Sequence, residues 1–374
     1  MIHFDIATKI VSPDTNIWVI FPGRGRRYLE TFLANDAVFL ETPALNITAA
    51  AVNDVKRIRQ HVRMSLAFQE FHKKGGKAPS RRAAAYPDGV FDEARFTVLA
   101  ANVRKLFGRV KIGDLIIVPA KLFAPVSFGE VVGEFDPQES IEIGGFGGER
   151  VQYRAVKWVS NYVPRNLIPA HLQIYLSKPP AIAKVPRLPD TDEFFRFAYK
   201  SYVLAEKSAV IIDGPRYTGK NPLDTIEANY LVSYFIAAFN AIESDKLSEF
   251  SKLQISDAIS QFYSAELVVS YTQNFNSPGR FGLVAASSVL AIFVGLGATL
   301  AISKLPATAF QNGISVKNSF APGDDGIAHD AGVKLDYLLK SLGKDQIEDL
   351  QKLGDQSRKK IDLKTPVKIQ KAGN

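Results

Sequence analysis

The segment AVIIDGPRYTGKNP (209–222) comes closest to carrying chemistry. Gly214, Gly219 and Lys220 have the spacing of a loop in which backbone amides and a lysine cradle phosphates, and a strand-like run precedes them. The next residue, however, is Asn221, where a Ser or Thr hydroxyl would ligate Mg²⁺, and Pro222 follows. No downstream Asp ends an apolar strand. The stretch reads as a Gly/Pro-rich loop that could hold an anion. Asp213, Asp224 and Glu227 lie around it, but the strand-borne Pro-Asp…Asp/Glu-x-Lys pattern of a restriction-type nuclease is missing. The chain has no cysteine, and its five histidines form no HxxxH or HExxH pair, so no metal site is expected. Catalytic residues, metal and cofactor are all expected to be none. The alternative reading is an effector enzyme, nucleotide-binding or nuclease, with its active site in 190–275.

The elements that must position any site follow from length and periodicity. A chain of 374 residues suits two or three domains, and 46% apolar with 22% charged residues excludes a disordered or fibrous chain. IWVIFPG (17–23) reads as a strand, YLETFLAND (28–36) as a short helix and AVFLE (37–41) as a strand. The 52–110 segment is helical and basic. Val55, Ile58, Val62, Leu66 and Gln69 share one face of a helix over 55–71, and a second helix over 91–107 ends at Gly108. Strands are expected over 110–120, 126–136 and 149–164. Four prolines in PPAIAKVPRLPDTD (179–192) mark a domain boundary. Beyond it, helices are expected over 192–208, 223–243, 246–275 and 282–303, then a leucine-rich amphipathic helix and a basic tail.

The order IWVIFPG…YLETFLAND, then FGRVKIGDLIIVPA…FGEVVGEF…YRAVKWVSNYVPRNLIPAHL, resembles the PUA/EVE-like domains of bacterial modification-dependent restriction and phage-defence proteins. The match covers roughly residues 16–185, and the C-terminal half carries no resemblance. The resemblance implies a small β-barrel that holds a flipped or single base in an aromatic pocket at its mouth. Such a pocket needs stacking faces and a few polar groups for the base edge. Trp18 and Trp158, the only tryptophans, both lie in the matched motifs, with Phe21, Lys157 and Tyr162 near them. They are either pocket or barrel core.

The net charge of +8 favours a polyanionic partner or is a solvated basic surface. Arg24, Arg26 and Arg27 of the GRGRR turn, directly after the first barrel strand, are the leading phosphate contacts. Lys56, Arg57, Arg59, Arg63, Lys73, Lys74, Lys77, Arg81 and Arg82 extend the basic set.

FGLVAASSVLAIFVGLGATLAI (281–302) is uncharged and long enough for a bilayer, with Ser287, Ala291, Gly295 and Thr299 recurring every four residues. It is either a membrane or self-association helix with that stripe as its contact face, or a buried central helix. The N-terminus lacks the pattern of a signal peptide, so the expected location is cytoplasmic, with the inner membrane reached through 281–302.

The expected fold class is α+β: a PUA/EVE-like barrel with a basic helical insert over 1–185, a mainly helical domain over 190–310, and a linker, amphipathic helix and basic tail over 311–374. The expected function is a nucleic-acid or modified-base sensor coupled to an oligomerising or membrane-acting effector in bacterial anti-phage defence. Its partners would be nucleic acid, a membrane, further copies of the chain and a protein of the same defence system.

Overall fold

The computed structural model describes residues 1–374 apart from 87–92, 122–123, 178–179, 275–278, 307–308, 310–312, 324–325 and 371–374. Parts of the expected segments at 91–92, 179, 275, 311–312, 324–325 and 371–374 therefore lie outside the described residues. The chain divides into two compact units, Asp14–Ala198 and a two-segment unit of Met1–Pro13 with Tyr199–Asn374. The first is an insertion into the second. The sequence reading places boundaries at 185–190 and at 310.

Two short strands come first, β1 (Ile2–Asp5) and β2 (Lys9–Val11), and both pair with strands of the C-terminal segment. The inserted unit opens with β3 (Ile17–Ile20), α1 (Leu29–Ala34) and β4 (Ala37–Phe39). The helices α2 (Val55–Lys74) and α3 (Glu93–Gly108) follow. Then come β5 (Leu115–Pro119), β6 (Val126–Val131), β7 (Ser140–Glu142) and the long β8 (Arg150–Val163). The short α4 (Ala170–Gln173), β9 (Ile182–Val185) and α5 (Phe194–Ala198) complete the unit.

Its sheet runs β4-β8-β6-β5-β3-β9, with β7 added on β8, and curls into a half-barrel. Only β3 and β5 pair in parallel. The LIIVP strand is buried along its whole length, as an apolar run covered on both faces must be. Register shifts between β6 and β8 at Val126/Phe128 and Phe128/Gly129 help bend the sheet. Gly129 is where the indole of Trp158 lies against β6: a Cβ there would come within 3.0 Å of the ring. Ile58, Val62 and Leu66 of α2 join the strands in one core. Val55, expected on that face, is 52% exposed, because it stands in the first turn, beyond the reach of the sheet. The Asp54 carboxylate accepts the Arg57 N–H at 3.1 Å and starts this helix, and Gly75 at φ 74° ends it.

The two-segment unit continues with β10 (Ser201–Leu204), β11 (Lys207–Gly214), α6 (Ile226–Glu243), α7 (Leu247–Phe250) and α8 (Ile255–Phe262). Next are β12 (Val268–Asn274), β13 (Gly279–Ala285) and α9 (Leu290–Ile302). It ends with β14 (Ile314–Lys317), α10 (Gly326–Ser341), α11 (Lys344–Ile361) and β15 (Lys368–Gln370). A five-stranded sheet runs β12-β13-β11-β10-β2 and a three-stranded one β14-β1-β15. The expectation of a mainly helical domain is thus corrected. Short apolar runs do not separate strand from helix by periodicity alone, and here long-range pairing decided for strand at 201–214, 268–274 and 279–285.

The apolar segment 281–302 is divided by that pairing. Its first five residues belong to β13, held between β12 and β11, and only Leu290–Ile302 is helical. At 13 residues the helix is about 20 Å long, against about 30 Å of bilayer hydrocarbon. Among the described residues no helix is long and apolar enough to cross a membrane. The spanning reading falls. The small-residue stripe is used inside the chain. Ala291 N–H donates to Ser208 Oγ at 3.0 Å, and Ser208 Oγ donates to the Ser287 carbonyl. Gly295 lies against Val210 and Val367, and the Thr299 hydroxyl meets that of Thr365. Small residues elsewhere let helices close on α9: Gly297 gives room to the Phe235 ring of α6, and Gly354 of α11 lies directly on the Ala301 carbonyl.

Candidate nucleic-acid interface

Glycine makes the GRGRR turn possible. Gly23 (φ 72°) and Gly25 (φ 65°) take left-handed conformations, and a Cβ at Gly23 would strike the Tyr28 ring. The turn presents Arg24 to solvent and lays Arg26 over the Phe21 ring, 4.0 Å from its centroid. Arg27 covers Tyr28 at 4.8 Å and pairs with Glu41.

This turn borders a groove of about 870 Å³, open to solvent. Arg24, Arg27 and Glu41 form one side of its lining. Gln69 and Lys73 come from α2, and Val98 and Asn102 from α3. An adjoining hollow of about 380 Å³ is lined by Phe21, Arg26 and Phe39 and shares Arg24, Glu41 and Leu99 with the groove. Glu41 is the one carboxylate on the described lining, and Arg27 already neutralises it. Among the described residues Arg24 and Lys73 form no ion pair. The charge behind this surface is concentrated: residues 52–110 hold 13 Lys and Arg against 5 Asp and Glu.

Not every basic residue of that segment faces outward. Arg63 is 2% exposed and, with Arg59, covers the Phe96 ring at 4.2 and 4.6 Å. Arg63 is therefore withdrawn from the expected phosphate set. Arg57 pairs with Asp54, and Arg81 pairs with Glu149 while covering Phe68. Lys56, Lys73, Lys74, Lys77 and Arg82 are exposed.

The two tryptophans have different roles. Trp18 is buried in the core, and its Nε1–H donates to Asp114 Oδ2 at 2.8 Å. The same carboxylate accepts the Asn16 backbone and side-chain N–H groups and the Lys111 N–H. Asp114 thus organises the entry to β5, and Trp18 presents no face for stacking. Trp158 is half-buried, and its Nε1–H is enclosed without a hydrogen-bond partner among the described residues. Lys157 beside it is exposed, and Tyr162 is 58% exposed with a left-handed φ of 58° at the end of β8. Lys157, Trp158 and Tyr162 do not line the groove beside the GRGRR turn. Of the expected aromatic set, the structure brings only Phe21 together with the arginines. Glu41, Gln69 and Asn102 were not singled out from the sequence. The i, i+4 spacings Gln69/Lys73 and Val98/Asn102 are the only local sign of a shared face.

The 209–222 segment does have the order strand, loop, helix, since β11 leads through the loop to a short turn of 3₁₀ helix and α6. It differs from a nucleotide site in two respects. β11 is antiparallel to both its neighbours. Asn221 caps the helix start itself, its side chain accepting the Leu223 N–H, and the first turns carry Asp224 and Glu227, which oppose a phosphate there. Asp213 is held by Lys200 at 2.7 Å and Arg280 at 3.1 Å. No group of three metal-ligating side chains occurs among the described residues.

No family model, curated protein or solved structure matches the chain.

Proposed function

We propose that the half-barrel unit binds nucleic acid, with the groove between the GRGRR turn, α2 and α3 taking the phosphate backbone. One observation carries this reading. Arg24 and Arg27 from a turn and Lys73 from the far end of a helix border a single open groove, and the one carboxylate on its described lining is already paired. Backbone contacts of this kind supply sequence-independent affinity and positioning. The resemblance to PUA/EVE-like domains adds a base to the backbone. Trp158 would stack it, with Lys157 and Tyr162 beside it. On the same resemblance the protein acts as a sensor in bacterial anti-phage defence, and the two-segment unit meets a further copy or another protein of that system. The α9 stripe has no part in that contact, because it is buried within the chain.

The test is a fluorescence titration of an oligonucleotide duplex across salt concentrations. Arg24→Ala with Lys73→Ala is expected to weaken binding of all sequences alike and to lower the salt slope by about 2. Unchanged affinity and slope would remove the groove from the interface.

A further inference from the structure

The groove beside the GRGRR turn carries more than charge. Arg24, Arg27 and Lys73, all exposed, share its lining with three side chains of α3. Val98 is 53% exposed, and Leu99 is half-buried and also lines the adjoining hollow. Asn102 is only 3% exposed, yet it belongs to the same lining. Its side chain has no hydrogen-bond partner among the described residues, and its amide is not among the groups sealed from solvent. The amide is thus recessed, unpartnered within the described chain, and open to the groove.

A buried polar group is almost always hydrogen-bonded, and one that is not calls for an explanation. An amide carries two N–H donors beside a carbonyl acceptor. That pattern matches the edge of a nucleobase, where donor and acceptor also stand side by side. Depth then selects the form of the nucleic acid. A duplex is read by a protein element that projects into the groove of the DNA. A recessed group works the other way. The base must project into the protein, and it does so when it is unpaired. The apolar surface of Val98 and Leu99 points in the same direction. A duplex turns phosphate and sugar outward and leaves that surface without a partner, whereas unpaired bases bring apolar faces to it.

Resting on the nucleic-acid reading above, we propose that this groove takes a single strand with its bases turned inward, and that the Asn102 amide reads the edge of one base. The backbone lies along Arg24, Arg27 and Lys73.

The experiment uses the full chain and one labelled oligonucleotide of mixed sequence, single-stranded and annealed to its complement, in DNA and in RNA. Anisotropy titrations at one salt concentration are expected to show the single strand binding about tenfold more tightly than the duplex. Asn102→Leu should weaken the single strand about tenfold and leave the duplex unchanged. The same variant should hold or raise the urea midpoint of tryptophan fluorescence, because an apolar group of similar size replaces an unpartnered buried amide. An amide with a purely structural role would instead lower that midpoint and weaken both forms together, and that result overturns the inference. Should Asn102→Leu fail to fold, Asn102→Ala takes its place, with the same expectation for the two forms. A duplex bound as tightly as the single strand, or a single strand indifferent to Asn102, overturns the inference and leaves the nucleic-acid reading standing. If neither form binds, that reading fails and the inference falls with it.

Discussion

The two units differ in how they handle charge. The half-barrel unit has 26 Lys and Arg against 19 Asp and Glu, and the two-segment unit has 20 against 19. Nearly all of the net +8 therefore belongs to the insertion. In the two-segment unit the helices bind their own charges. Lys340 pairs with Asp336, Lys334 with Asp330 and Glu243, Lys352 with Asp349, and Arg358 and Lys359 with Asp355. Local i, i+3 and i, i+4 pairs leave a neutral surface. In the insertion, among the described residues, Arg24 and Lys73 form no ion pair, and both line the groove. The contrast places the excess positive charge in one unit and near-neutrality in the other.

Both tryptophans lie in the insertion, so tryptophan fluorescence, excited beyond the tyrosine band, reports on that unit alone. The largest effect is expected from Gly354→Ala, whose Cβ would fall inside the shell of the Ala301 carbonyl. It should destabilise the two-segment unit by about 3 kcal/mol, the upper range for overpacking. In urea, the circular-dichroism transition of that unit should move to lower concentration while the fluorescence transition holds. Coincident shifts of both signals would break the comparison. Asp114→Asn is the reciprocal variant. It replaces a carboxylate that accepts four N–H groups, and a loss of about 2–3 kcal/mol is expected, now in the fluorescence transition.

The smallest effect concerns pH. Burial pushes His61 below its ordinary value, partly offset by the hydrogen bond from its Nδ1 to the Leu45 carbonyl. A histidine with a lowered folded value stabilises fully above its unfolded value, about 6.5, and that stability is lost as pH falls from there toward the folded value. The insertion should therefore melt a few degrees lower at acid pH, and His61→Gln should flatten the dependence. An identical pH profile in that variant would clear His61 of the effect.

Much of the insertion was legible because its signals are local. LIIVP has no polar position and no room for a solvent face. GRGRR needs two glycines to turn. What escaped detection depends on distant partners. Glu41 and Asn102 enter the groove only because α3 folds back beside the turn. Nothing near Asp114 in the sequence announces that it holds the Trp18 indole. Residues 281–302 form one uncharged run, and only the neighbours β11 and β12 divide it. The pairing of β1 with residues 314–317 and 368–370 has no local sign at all.

That pairing sets an order of events during synthesis. The insertion is complete as a chain once Ala198 has emerged, and every strand it needs is by then available. β1 precedes the insertion in the chain, and its partners β14 and β15 follow it. At about 5–20 residues per second, the stretch from Tyr199 to Gln370 takes roughly 9 to 34 seconds to make. Through that interval β1 is an unpaired edge, and the apolar β13–α9 run emerges before α10 and α11 exist to cover it. A holding chaperone would find its substrate here, on the nascent two-segment unit.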